Sequence, residues 1–294
     1  MNYRNTILGL LIVFSTEAQT QADINDFLSV QSVGNSVFLE YDYQAMLDSI
    51  DVLNAALSGS PAFEWGVYSI IGTDIDGEAA NDNNGYSVSL SSDGTTVAIG
   101  AIANDGNGHG SGHVRIYSWN SMTSGWEQQG ADIDGEAAND WSGFSASLSS
   151  DGTTIAIGAL NNDGNGTNSG HVRIYSWNGA TSVWEQQGAD IDGEAVGDDS
   201  GRSVSLSSDG TTIAIGALNN DGNGTNSGHV RIYSWNGAIS AWEQQGADID
   251  GEAEYDYSGG SVSLSSDGTT VAIGAPYNVG NGTYSGHVRI YSNN

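Results

Sequence analysis

A block of 58 residues recurs four times without insertion or deletion, and this regularity constrains the fold of the 294-residue chain more than any other feature. Asp74-Ile-Asp-Gly-Glu returns at Asp132, Asp190 and Asp248, and Gly-His-Val-Arg-Ile-Tyr returns with His113, His171, His229 and His287. A module this short cannot bury its apolar surface alone, so its copies must pack against one another. Each copy reads as four strands. Tyr86 to Ser91 alternates with period two, and Asp93-Gly94 then predicts a two-residue hairpin with both turn positions at positive φ. Thr96 to Ala101 has the apolar, small-residue character of a strand buried on both faces. A Gly/Asn/Asp loop, Asn104 to Gly112, leads to a third strand at His113 to Trp119. A polar turn leads to a fourth at Trp126 to Gly130. Four antiparallel strands in one such repeat match a β-propeller blade, so the expected fold is all-β, a propeller of four four-stranded blades.

The ends of the array carry a second expectation. The last copy stops after its third strand, whereas Tyr68-Ser-Ile-Ile-Gly72 aligns without gaps on Trp126-Glu-Gln-Gln-Gly130. Residues 68–72 are therefore expected to supply the fourth strand of the last blade and close the ring. The propeller is assigned to residues 67–294. Residues 1–18 read as a signal peptide, with Arg4, an apolar run from Ile7 to Phe14 and a small-residue cleavage site at Thr16-Glu17-Ala18. Residues 19–66 are expected to form a small α/β cap, with a hairpin around Gly34-Asn35. A short amphipathic helix is expected from Tyr43 to Leu57, where Met46, Leu47, Ile50, Leu53 and Leu57 have helical spacing.

Thirty-six acidic residues face six arginines and no lysine, a net charge of −30, which excludes nucleic acid and anionic lipid as partners. No apolar run is long enough to span a bilayer, so the chain is expected to be secreted without direct membrane insertion. There is no cysteine, so stability must come from burial, hydrogen bonds or bound ions.

Gly85-Tyr-Ser-Val, Gly143-Phe-Ser-Ala and Ala272-Ile-Gly-Ala-Pro276 resemble the two signatures of FG-GAP repeats. Those repeats build the propeller of integrin α subunits and of many secreted bacterial surface proteins. The resemblance covers residues 72–294 and implies an extracellular adhesion or ligand-binding module. The family usually has seven blades where this chain has four copies. A closed four-bladed ring, an incomplete propeller and self-association between chains all stay open. Family repeats often hold calcium between the two signature strands. Here that place holds only Ser-Ser-Asp-Gly-Thr-Thr, too short to wrap an ion.

An acidic loop lies elsewhere, between one blade's outer strand and the next blade's first strand. Its carboxylates stand at relative positions 1, 3, 5 and 9: Asp74, Asp76, Glu78 and Asp82; Asp132, Asp134, Glu136 and Asp140; Asp190, Asp192, Glu194 and Asp198; Asp248, Asp250, Glu252 and Asp256. These are ligand positions of a calcium loop, although the glycine sits at 4 and no glutamate follows at 12. Two readings stand: a Ca2+ site in each loop, or a solvated turn held by Asp hydrogen bonds.

The repeated His and Arg read as structural, because residues stamped into every blade do not form one asymmetric catalytic constellation. No G-x-S-x-G or H-E-x-x-H motif occurs, and an enzyme is not expected. Paired tryptophans, Trp119 with Trp126 and their equivalents, either pack between blades or stack on sugar faces. Asn165, Asn223 and Asn281 match the glycosylation pattern. Residues that differ between copies cluster beside the acidic loops, and of these Trp141, Arg202, Tyr255 and Tyr257 are the candidates for contacting a partner. The function expected is an extracellular binding or adhesion module for a protein or glycan. A surface-layer repeat protein without a specific ligand and a carbohydrate-active enzyme are the competing readings.

Overall fold

The computed structural model describes residues 28–33, 36–41 and 69–293. The chain divides into two units, Met1–Ser69 and Ile70–Asn294. In the first, β1 (Leu28–Val33) pairs antiparallel with β2 (Ser36–Tyr41), in register from Leu28 opposite Tyr41 to Val33 opposite Ser36. The expected leader at 1–18 and helix at 43–57 lie outside the described residues.

The second unit is a β-propeller array of four antiparallel sheets, and no helix occurs among the described residues. Blade 1 holds β3 (Asn84–Leu90), β4 (Thr96–Ala101), β5 (His113–Asn120), β6 (Gly125–Gln128) and a two-residue β7 (Ile133–Asp134). Blade 2 holds β8 (Ser145–Leu148), β9 (Thr154–Ala159), β10 (His171–Asn178), β11 (Val183–Gln186) and β12 (Ile191–Asp192). Blade 3 holds β13 (Ser200–Leu206), β14 (Thr212–Ala217), β15 (His229–Asn236), β16 (Ala241–Gln244) and β17 (Ile249–Asp250). Blade 4 has only β18 (Ser261–Leu264), β19 (Thr270–Ala275) and β20 (His287–Ser292).

Two local expectations need correction. The Asp-Gly turn is wider than a two-residue hairpin: Ser91 and Thr96 close it, and only Gly94 of the pair has positive φ, +72°. The Asp93 carboxylate fixes this wider turn by accepting from Ser91 Oγ, Thr95 N and Thr95 Oγ1. The start of each acidic loop is also strand, because β7 pairs with the His113-Val114 end of β5 beyond β6. Asp132 and Asp134 thus bracket the outer edge of their own blade.

Blades join face to face. Val114 and Ile116 of blade 1 meet Leu148, Ile155 and Ile157 of blade 2 in one buried cluster, and the next two junctions repeat it. The signature glycines lie at these junctions. A Cβ on Gly100 would collide with the Gly143 carbonyl of the following blade, and Gly158 and Gly216 stand likewise against Gly201 and Gly259. The Gly143 carbonyl also accepts Ser87 Oγ at 2.7 Å, so the two motifs are where backbones of neighbouring blades touch.

The same strand sequence is buried according to its neighbours. β9 is buried throughout, whereas the near-identical β19 alternates buried and half-buried positions, because no blade among the described residues covers its second face. The expected closing strand is not formed. Ser69–Gly72 carries no strand, and the sheet of blade 4 stays three-stranded. Instead the Ile71 carbonyl accepts Trp126 Nε1 at 3.2 Å, as the Gln129 carbonyl accepts Trp184 Nε1 at 2.8 Å. This segment therefore sits against blade 1 as a preceding blade's fourth strand would.

Candidate functional site

At each blade junction the third strand presents its histidine to two successive acidic loops. His113 is 1% exposed. Its Nδ1 lies 3.8 Å from Asp132 Oδ2 and 3.9 Å from Glu78 Oε2. Glu136, His171 and Asp190 form a second such group, and Glu194, His229 and Asp248 a third, the ligand atoms of each lying within 4.8 Å of one another. Each group could hold one metal ion. In blade 4, His287 Nδ1 lies 3.4 Å from Glu252, and among the described residues no third member joins them.

Neither ring nitrogen of His113, His171 or His229 has a hydrogen-bond partner. A buried polar group left unpaired is costly, so three repeated cases ask for a ligand. Burial holds all three imidazoles below their ordinary pKa, His171 reaching about 4 with the added repulsion of Arg173. They are neutral at physiological pH, the state in which an imidazole nitrogen binds a metal. Burial also raises the Glu136 carboxyl, an effect Arg173 offsets.

The arginine beside each histidine serves the blade. Arg115, Arg173 and Arg231 donate to the backbone carbonyls of Asp76, Asp134 and Asp192 at 2.7, 2.6 and 2.6 Å. Their other nitrogen stands 3.7–3.8 Å from Glu78, Glu136 and Glu194.

The structure separates the four carboxylates of each acidic loop. Position 9 is an internal brace: Asp140 is buried and accepts from Ala137 N at 2.9 Å and Asn162 Nδ2 at 3.0 Å, and Asp82, Asp198 and Asp256 do the same. At position 3, the exposed Asp76, Asp134 and Asp192 lend their backbone carbonyls to the arginines, and Asp250 closes β17. Positions 1 and 5 come together, but across loops: Asp132 meets Glu78 of the preceding loop, through His113. Asp74 opens the first loop and Glu252 belongs to the incomplete fourth group. The histidine is the member that loop spacing missed. Its recurrence 19 residues before each Asp of position 1 was the available signal.

The second polar loop clamps the first. Asn165 Nδ2 donates to the carbonyls of Gly193 and Glu194, and Asn223 to those of Gly251 and Glu252, so these two amides are engaged in structure. The tryptophan pairs sit 5.4–5.5 Å apart at the outer blade edge, with Trp126, Trp184 and Trp242 bonded to the preceding segment.

Of the four partner candidates, Arg202, Tyr255 and Tyr257 line one cleft of about 990 Å³, together with Tyr277 and Tyr284. Tyr257 and Tyr284 both stack edge-on against Tyr277. Arg202 lies 4.6 Å over the Phe144 ring. Trp141 is outside that cleft, 39% exposed on another junction. Trp141, Tyr255 and Tyr257 have φ of +56°, +62° and +53°, conformations that bulky side chains rarely adopt.

The FG-GAP repeat family model matches residues 73–117 and 189–233, the acidic loop through third strand of blades 1 and 3. These two segments match FG-GAP repeats. In the second match the first signature supplies Gly201, which meets Gly158 of the preceding blade, and in both matches the second signature supplies the glycine, Gly100 or Gly216, that receives the following blade. Calcium does not fit between their signature strands here, since the one carboxylate in that turn, Asp93, is taken up by three internal donors. No curated protein matches the chain by sequence. Among solved structures, Kuenenia stuttgartiensis hydrazine synthase is similar at 13% identity and TM-score 0.45, covering 76% of this chain and 49% of that one. A periplasmic gluconolactonase of Pseudomonas aeruginosa is similar at 14% identity and TM-score 0.45, covering 71% and 57%. A putative 6-phosphogluconolactonase of Bacteroides uniformis is similar at 14% identity and TM-score 0.36, covering 70% and 71%. The chain spans about half the length of the first two. No helix among the described residues is long and apolar enough to cross a membrane.

Proposed function

We propose that this chain is an extracellular binding or adhesion module. It holds divalent cations between consecutive acidic loops and recognises a protein or glycan partner through the same rim, without catalysing a reaction. One observation carries the reading: a buried, neutral, unpartnered histidine faces two carboxylates at three successive junctions. One imidazole nitrogen and two carboxylate oxygens favour an ion of the zinc type over calcium, whose shell is all oxygen. An ion there would tie each loop to the next and stiffen the rim that carries Trp141 and Tyr255. Recognition by aromatic side chains on a rigid rim needs no catalytic group.

The test is binding of the full chain to glycan and extracellular-protein arrays in zinc, in calcium and in chelator. The reading expects specific binding in zinc that chelator weakens and that Trp141→Ala or Tyr255→Ala abolishes. Turnover of an array glycan, lost on one point substitution, would overturn it. So would array binding that neither aromatic substitution changes.

A further inference from the structure

We infer that a groove at the outer edge of the junction between blades 2 and 3 captures a guanidinium group, the arginine side chain of a basic protein partner. This site goes beyond the rim aromatics and ion sites proposed above. The groove has a volume of about 210 Å³, room for one side chain. Tyr233, Trp242 and Ala241 of blade 3 form one part of its wall, and the segment carrying Asp190 and Asp192 forms the other.

A single difference between copies opens it. Six of the seven lining positions hold the same residue at the junction of blades 1 and 2, and the exception is Ala241, where blade 2 has Val183. Trp184, beside Val183, is 7% exposed. Trp242, beside Ala241, is half-buried. Both indoles are anchored alike, Trp184 Nε1 donating to the Gln129 carbonyl and Trp242 Nε1 to the Gln187 carbonyl, each at 2.8 Å. The two Cγ atoms that Ala241 lacks, rather than a displaced ring, therefore uncover Trp242. An indole held this way is a platform whose orientation is fixed before a ligand arrives.

The polar groups of the groove select the occupant. Among the described residues the Asp192 carboxylate accepts no hydrogen bond, and Asp190 has one oxygen taken by Gln186 Nε2 at 2.6 Å. No cation lines the groove. Arg231, 5.6 Å from the centre of the Tyr233 ring, is engaged by Glu194 and by the Asp192 carbonyl. Two carboxylates beside an exposed indole match a planar cation, which stacks on the ring while its N–H groups fork to the oxygens. Guanidinium fits better than ammonium, which lacks the plane and the fork. The charge of −30 also draws a basic partner toward the chain and repels an acidic one.

The experiment follows the indole N–H resonances of the full chain in chelator, which leaves Asp190 free and sets the result apart from ion binding and from the array test. The probes are N-acetylarginine amide, its uncharged analogue N-acetylcitrulline amide, and methyl glucopyranoside. Arginine amide at about millimolar concentration is expected to shift the Trp242 resonance and not that of Trp184, as befits a ligand of one side chain. Citrulline amide and the glucoside should shift neither. Ala241→Val, which rebuilds the arrangement of blade 2, should abolish the shift at Trp242. Val183→Ala, which opens the groove of blade 2, should create one at Trp184. A Trp242 resonance that arginine amide leaves unmoved overturns the inference, as does an equal shift with citrulline amide or the glucoside. An Ala241→Val chain that responds like the native one, or a Val183→Ala chain whose Trp184 stays silent, overturns it too.

Discussion

The Arg173 guanidinium donates a 2.6 Å hydrogen bond to the backbone carbonyl of Asp134, 39 residues earlier, binding the third strand of blade 2 to the loop that precedes it. Arg173 is buried, so replacing it leaves that carbonyl without its donor. Arg173→Leu is expected to cost about 2–4 kcal/mol, read as a lower urea midpoint. The same change removes the cation 3.8 Å from Glu136, so zinc binding at that junction should tighten rather than weaken.

Positions 1 and 9 of the acidic loop separate by role. Asp140→Ala removes the acceptor of Ala137 N and Asn162 Nδ2 and is expected to cost about 1–3 kcal/mol while leaving zinc stoichiometry unchanged. Asp132 is partly exposed and accepts from Gln128 Nε2. Asp132→Asn should leave the melting midpoint within about 1 °C and remove one zinc per chain in a calorimetric titration, a negligible stability change for a surface position.

Much of the architecture was legible because the repeat fixed it. Strand order followed from alternation and turn residues, and the buried character of Thr96 to Ala101 from its small apolar composition. What the sequence could not reveal depends on neighbours. Val288 and Val172 are the same residue in the same motif, yet one is exposed and the other buried, because only one has a following blade. The candidate site was half legible. Loop spacing pointed to Asp132 and Glu136, but not to their assignment to different centres, since β7 and β12 turn successive loops across the junctions. It also grouped Asp140 with them, although that carboxylate braces the turn.

The buried histidines make stability depend on pH. The folded pKa of His171, about 4, lies below the ordinary 6.5, so the unfolded chain binds the extra proton first. The stability this group contributes is complete above pH 6.5 and is lost as pH falls toward 4, at about 1.4 kcal/mol per unit of pKa difference. Asp199, raised to about 6 by burial, acts in the opposite sense. The difference between the native chain and His171→Gln isolates the histidine. Denaturant unfolding from pH 7 to 4.5 should show the native chain losing stability relative to the variant.

The junction glycines should tolerate no side chain. Gly158→Ala sets a methyl group against the Gly201 carbonyl of blade 3 and is expected to cost about 3 kcal/mol or more, whereas Gly125→Ala, with its nearest neighbour 3.7 Å away, should cost less than about 1 kcal/mol. Thermal melting of the two variants side by side gives the comparison.

Thermal melting of the native chain and of a His113→Gln/His171→Gln/His229→Gln variant, each in zinc, calcium and chelator, tests the cation sites most directly. Zinc should raise the native midpoint by mass action while calcium leaves it unchanged, and the variant should lose most of the rise. A native midpoint indifferent to zinc, or a variant that responds as fully as the native chain, would contradict the assignment of an ion to the inter-blade histidines.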